Sequence, residues 1–116
     1  MKATGGVRGL VEILFLVLFL AVGASPIWAE DSGAETFKSK CVLCHGADGT
    51  GNTPLGKQLQ AANLHSKEVQ SKTNAELHKI VHDGKTNMPP FADQLSDEQI
   101  TQVVKYVRSF GKSAAK

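Results

Sequence analysis

Tryptophan and tyrosine each occur once in this 116-residue chain, and only two residues are cysteine. Of the seven aromatics, Phe15, Phe19 and Trp28 lie in the first 29 residues. That leaves Phe37, Phe91, Tyr106 and Phe110 to build a core. No apolar run reaches the roughly 20 residues that a membrane span needs, because the run Ile13 to Val22 is ten residues long, with Glu12 on its N-terminal side. Neither sign of charge dominates: 13 basic and 11 acidic side chains give +2 and a pI near 8.6, without the basic clusters of a nucleic-acid binder. No strand-like alternation of useful length and no internal repeat is visible. The length excludes large enzymes and repeat arrays. Hydrophobic and charged fractions of 41% and 21% are ordinary, which argues against disorder along the whole chain.

The first segment reads as an address. Lys2 and Arg8 precede the apolar run, and small residues, Pro26 and Ile27-Trp28-Ala29 follow it. A basic region, a short apolar region and a small-residue end describe a secretory signal. Residues 1–29 are therefore expected to be a signal peptide and 30–116 the folded domain. Cleavage after Ala24 is the nearby alternative, and retention as an anchor, with Ile27 and Trp28 extending the apolar length, is the rival reading. A domain of this size buries a modest fraction of its surface. Four aromatics make a thin core, which a large apolar group would complete.

Three helix starts are marked. Ser32-Gly33-Ala34-Glu35, Thr73-Asn74-Ala75-Glu76 and Ser96-Asp97-Glu98-Gln99 each have the spacing of a capping box. The first predicts a helix carrying Phe37 toward Cys41. In the second, Leu77, Ile80 and Val81 fall at helical spacing, and Gly84 supplies a closing residue. In the third, Leu95 and Ile100 are placed as a hydrophobic staple, and Ile100, Val103, Val104, Val107 and Phe110 form one apolar stripe. Asp97 and Glu98 sit at its positive end, Lys105 and Arg108 near its negative end, with Gly111 following and a frayed tail from Lys112. A weaker helical piece covers Ser66 to Gln70. The glycine-rich stretch Gly46 to Gly56 and the stretch Lys85 to Gln94 read as loops. The domain reads as all-α.

The chemistry concentrates in Cys41-Val42-Leu43-Cys44-His45 and Met88. Four readings of the cysteines compete. A disulfide suits an exported protein, but a bridge two residues apart constrains the unfolded chain little. A redox pair expects a βαβ setting that is not visible. Zinc held by Cys41, Cys44, His78 and His82 needs an unusually long spacing and gives His45 and Met88 no role. Covalent haem attachment is what C-x-x-C-H specifically signals. Two thiols at this spacing reach the two vinyl groups on one haem edge, and the next imidazole reaches the iron. Haem also supplies the large apolar group that the thin core lacks, so this reading is favoured.

Met88 is the one thioether left once the leader is removed. It lies in a loop that Pro89 and Pro90 stiffen, which would hold a soft sulfur against iron, with Phe91 burying the other side. His/Met ligation raises the potential and suits electron transfer. His65, His78 and His82 are rival sixth ligands. The plainer account of the two helical ones is solvated surface near Lys79 and Asp83.

F-K-S-K-C-V-L-C-H-G-A-D-G, L-H-K-I-V-H-D-G-K-T-N-M-P-P-F and L-S-D-E-Q-I-T-Q-V-V-K-Y-V together resemble the class I c-type cytochromes, in particular the small single-haem bacterial and algal type. The resemblance covers nearly all of Ala34 to Phe110. It implies a small single-domain cytochrome c fold, three main helices plus loops around one covalently bound haem c. An N-terminal helix would cross a C-terminal one, placing Phe37 near Tyr106 and Phe110. It implies iron held by His45 and Met88 and one haem edge exposed. It also suggests that the Pro54 carbonyl accepts the second N–H of the axial imidazole. Asn87 is a candidate donor to the Met88 sulfur, against the plainer reading of a turn residue. Many relatives carry a tryptophan near the methionine loop or in the last helix. With none here, Phe91 and Tyr106 would have to substitute.

The function expected is an exported, periplasmic, monomeric electron carrier that makes and breaks no substrate bond and is no enzyme. Its partners would be transient redox proteins, membrane oxidoreductase complexes or dehydrogenases, with no nucleic acid and no small-molecule substrate. Lys40, Lys57, Lys67 and Lys85 are candidates to steer docking, against the plainer reading of a solvated surface. The alternative is a haem-based gas sensor or peroxidase-like protein with a labile sixth ligand.

Overall fold

Ser32 Oγ accepts a hydrogen bond from the Glu35 backbone N–H at 3.3 Å, and from this cap the first helix runs in a computed structural model that describes residues 32–113. The expected leader, both cleavage positions and the last three residues lie outside the described residues. Among the described residues six helices run in order: α1 Gly33–Lys40, α2 Val42–His45, α3 Pro54–Leu59, α4 Lys67–Gln70, α5 Asn74–Asp83 and α6 Asp97–Ser113. Among the described residues there is no strand, only the isolated bridge between Lys85 and Met88. The all-α expectation holds, with three main helices and three short ones.

Two of the other caps form as the sequence spells them. Thr73 Oγ1 accepts from Glu76 N while the Glu76 carboxylate accepts from Thr73 N at 2.6 Å. Ser96 and Gln99 make the same reciprocal pair at 2.9 and 3.2 Å. Each satisfies backbone donors that a helix start otherwise leaves unpaired. Helix α3 lies at the end of the stretch read as a loop. Its start is Thr53-Pro54, where Thr53 Oγ1 accepts from Gly56 N at 2.8 Å and proline occupies the first turn. Pro is pre-set for that position, and the threonine–proline pair is the signal that the glycines around it obscured.

The stripe of α6 is the floor of the core: Ile100, Val103, Val104, Val107 and Phe110 are all buried. Helix α1 crosses it. Phe37 is 2% exposed, and its ring lies 5.1 Å from Tyr106 and 5.4 Å from Phe110. These tilted contacts are the favourable geometry for aromatic pairs. Contact at the crossing is so close that a Cβ on Gly33 would stand 1.9 Å from the Gln102 carbonyl oxygen. The glycine of the first capping box is thus a packing residue.

Helix α6 continues through Gly111 to Ser113, past the end expected at Gly111, and Lys112 is helical. Gly111 lies against the Gln70 side chain, which in turn donates to Leu64 O at 2.7 Å and to Val107 O at 3.1 Å. Arg108 does more than complement the helix dipole. Its guanidinium donates to Asn74 Oδ1 and Gln70 O, both at 2.9 Å, and to Lys72 O. One side chain thereby pins the joint between α4 and α5 onto α6. Arg108→Met keeps the aliphatic stem and strands these acceptors. We expect a loss of about 3 kcal/mol, read from the denaturant midpoint of the haem-loaded protein. An unchanged midpoint would show that the joint is held by packing alone.

Candidate functional site

Cys41, Cys44 and His45 share one short turn. The backbone N–H of His45 donates to Cys41 O at 2.9 Å, and the Gly46 N–H to Val42 O at 2.8 Å. Gly51 N then returns to His45 O at 2.7 Å, and Leu64 N to Gly49 O at 2.7 Å. The stretch after the motif is folded back over the turn and held there. Thr53 adds a second fastening, its hydroxyl lying 2.8 Å from Leu43 O and 3.1 Å from Cys44 O.

Both cysteines are free and half-buried, so no disulfide links them. Burial, with Cys44 beside it, pushes the Cys41 thiol up to about 11. A thiol so placed is protonated and uncharged, and is not tuned as a redox nucleophile. Leu43, between the cysteines, is 71% exposed.

The His45 ring is placed for ligation. Its Nδ1 lies 3.0 Å from the Ala62 carbonyl oxygen, which can only accept, so Nδ1 carries the proton and Nε2 is left with its lone pair. Burial holds the imidazole below its ordinary range, outweighing the Ala62 bond, which acts the other way. A neutral ring with one fixed N–H and one free nitrogen is the state in which histidine binds a metal. The acceptor is therefore Ala62 and not Pro54, whose place is the first turn of α3. An alanine carbonyl leaves no mark in a sequence. It is set by the left-handed Gln60 that ends α3 and by Ala61 N donating to Gly56 O at 2.8 Å.

Met88 is half-buried in a tightly tied loop. Lys85 N donates to Met88 O at 3.0 Å and Met88 N to Lys85 O at 2.8 Å, closing a turn in which Thr86 takes φ 52. Beyond the prolines, Phe91 N donates to Val81 O at 3.0 Å and Ala92 N to His82 O at 3.1 Å. The chain is thus sewn back onto the end of α5. Gly84 permits this, with φ 78 and no Cβ to meet Met88 O at 2.7 Å. Asn87 lies in this turn, as its plainer reading had it, and does not serve the sulfur, because its side-chain amide donates to Leu59 O at 3.1 Å. That bond joins the methionine loop to α3, which follows the cysteine motif, so two segments far apart in sequence are tied together.

The rival ligands are occupied elsewhere. His65 Nε2 lies 2.6 Å from Asp48 O, and the ring stands edge-on to Phe110 at 5.2 Å. His78 and His82 sit on α5 near Asp97 and Asp83. No group of three or more His, Cys, Asp or Glu among the described residues is placed to hold a metal. The zinc tetrad of Cys41, Cys44, His78 and His82 is not assembled. Tyr106, named as a substitute for the missing tryptophan, packs in the crossing of α1 and α6 between Phe37 and Phe110.

The family described as cytochrome c oxidase, cbb3-type, subunit III, matches residues 29–107. The cytochrome c6 of Nostoc sp. is 35% identical over 105 residues, covering 89% of this chain and 90% of that protein. The chain belongs to the class I c-type cytochromes. The cytochrome c6 of Thermostichus vulcanus is 34% identical over 94 residues, with 79% and 80% of the two chains covered. The cbb3-type oxidase subunit FixP of Sinorhizobium medicae is 33% identical over 87 residues, 71% of this cytochrome but 30% of the subunit. The solved structure of the KustC0563 c-type cytochrome superposes with a TM-score of 0.63 at 30% identity, covering 68% of this chain and 96% of that one.

This cytochrome accordingly carries one covalently bound haem c with its iron. It is an electron carrier and not an enzyme, with other redox proteins as partners. The residues at this site fit the group. Two free thiols lie on one turn, an imidazole with a free Nε2 follows them, and a thioether stands in a loop tied to the same segment.

Proposed function

We propose that Cys41 and Cys44 tether the haem, that His45 and Met88 hold its iron from opposite sides, and that the cytochrome is exported to the periplasm. The His45 arrangement carries this reading. The Ala62 carbonyl fixes the ring's orientation and tautomer, and burial keeps it neutral, so Nε2 is aimed and unprotonated before any ligand arrives. Bound haem supplies a one-electron couple at its iron. The chain's own work is to hold that iron in one coordination and to exclude water and gases from it. Met88 suits the second task, because its backbone is hydrogen-bonded on both sides and the loop has little freedom to swing away.

Residues 1–29 act as the signal and 30–116 as the domain, in keeping with thioether attachment, which takes place outside the reducing cytosol. Among the described residues no helix is long and apolar enough to cross a membrane. Lys40, Lys57, Lys67 and Lys85 are all exposed. They are available to steer a membrane oxidoreductase complex or a dehydrogenase into a small, transient contact.

The optical spectrum of the reduced, haem-loaded cytochrome before and after carbon monoxide tests the ligation. Sharp c-type bands that the gas does not move are expected. A shifted spectrum would mean a vacant or weakly held sixth position and would put a ligand-binding role ahead of electron transfer.

A further inference from the structure

Half of the zinc scheme that the sequence permitted is nevertheless built. His78 and His82 stand one turn apart on α5, their ring centroids 6.2 Å apart and their planes 19° from parallel. Residues at i and i+4 share a helix face, and this spacing is how a helix offers two imidazoles to one cation. Neither ring belongs to the core or to the proposed iron ligands. Their side chains are 29% and 43% exposed.

Asp83 orients one of the two rings. His82 Nδ1 lies 2.6 Å from Asp83 Oδ1. Lys79 Nζ lies 2.6 Å from the other carboxylate oxygen. With Nδ1 turned to the carboxylate, Nε2 is the ring nitrogen that Asp83 does not engage. A carboxylate on the far nitrogen is the partner that orients metal-binding histidines. His78 is held loosely, its Nε2 being 3.4 Å from Asp97 O and 3.5 Å from Asp97 Oδ1. It is free to turn.

The distances allow a shared ion. With metal–nitrogen bonds of about 2.1 Å, two imidazoles at a tetrahedral angle have centroids about 5 Å apart. The pair must therefore close by about 1 Å, which small χ rotations of half-exposed side chains supply. No third protein ligand completes a cage among the described residues, so the remaining positions fall to water. Nitrogen donors without thiolate or a carboxylate set select borderline cations over Mg2+ or Ca2+.

We propose that His78 and His82 form a two-ligand surface site for a borderline divalent cation of the Zn2+, Ni2+ and Cu2+ class, separate from the haem iron. Asp83 is its positioning residue. Zn2+ is the suitable probe because it is redox-inert and leaves the iron's oxidation state alone. Calorimetric titration of the haem-loaded cytochrome with Zn2+ is expected to show one saturable equivalent. His78→Gln and His82→Gln should each weaken it by about tenfold or more, and Asp83→Asn, with both ligands intact, by about tenfold. None of the three side chains belongs to the buried core, so the variants fold. No saturable binding to the parent protein, or unchanged affinity in His82→Gln, would overturn the site. Unchanged affinity in Asp83→Asn alone would overturn the positioning role.

Discussion

Met88→Ala is expected to leave the cytochrome folded while opening the iron to carbon monoxide and lowering its reduction potential. The backbone bonds that shape the loop, Lys85 to Met88, Phe91 to Val81 and Ala92 to His82, use no part of the methionine side chain. Asn87 keeps its bond to Leu59 as well. The substitution thus removes the thioether and little else. Axial ligands move haem potentials over about 0.8 V, and methionine lies on the high side. A fall on the order of 0.1 V or more is the expected scale. Voltammetry and the carbon monoxide spectrum read the two effects independently. Retained six-coordinate spectra and an unmoved potential would mean that another side chain holds the iron.

Gly33→Ala is expected to destabilise the cytochrome by about 3 kcal/mol. Helix propensity alone points the other way, favouring alanine over glycine by up to about 1 kcal/mol. The sign is decided by space. The new Cβ would sit 1.9 Å from the Gln102 carbonyl oxygen, and backbone atoms of Gln102 and Val103 cannot rotate away as a side chain would. Helix α1 must lift from α6, spoiling the packing of Phe37 on Tyr106 and Phe110. The neighbouring Ala34→Gly, at an exposed position of the same helix, should cost only about 1 kcal/mol. Comparing the two denaturation curves separates packing from propensity, and equal small effects would refute the close crossing. Because single domains are stable by only about 5–15 kcal/mol, a loss of this size is a large share.

Much of the architecture was legible because it rests on short-range chemistry. Capping pairs lie three residues apart, and the α6 stripe repeats at the helical period. The contact of Phe37 with Tyr106 and Phe110 came from the family resemblance, and it appears in the structure. What stayed hidden was short or made by backbone atoms. Helix α3 is six residues long and was masked by the glycines before it. The acceptor for His45 is a carbonyl, which every residue has, so no side chain announced Ala62 over Pro54. Asn87 was read through its neighbour Met88, yet its amide reaches Leu59, 28 positions away.

The sequence by itself determined the cofactor chemistry and the helical class. Both follow from residue types at fixed local spacing: two cysteines and a histidine on one turn, and apolar residues at 3.6-residue intervals. Only the tertiary structure decided which nitrogen of His45 is free, that Gly33 is a packing residue, and that Arg108 is an anchor. It also showed that His78 and His82 stand apart from the cysteines. Each of these depends on where a distant backbone passes, and that is set by the closing of the whole chain upon itself.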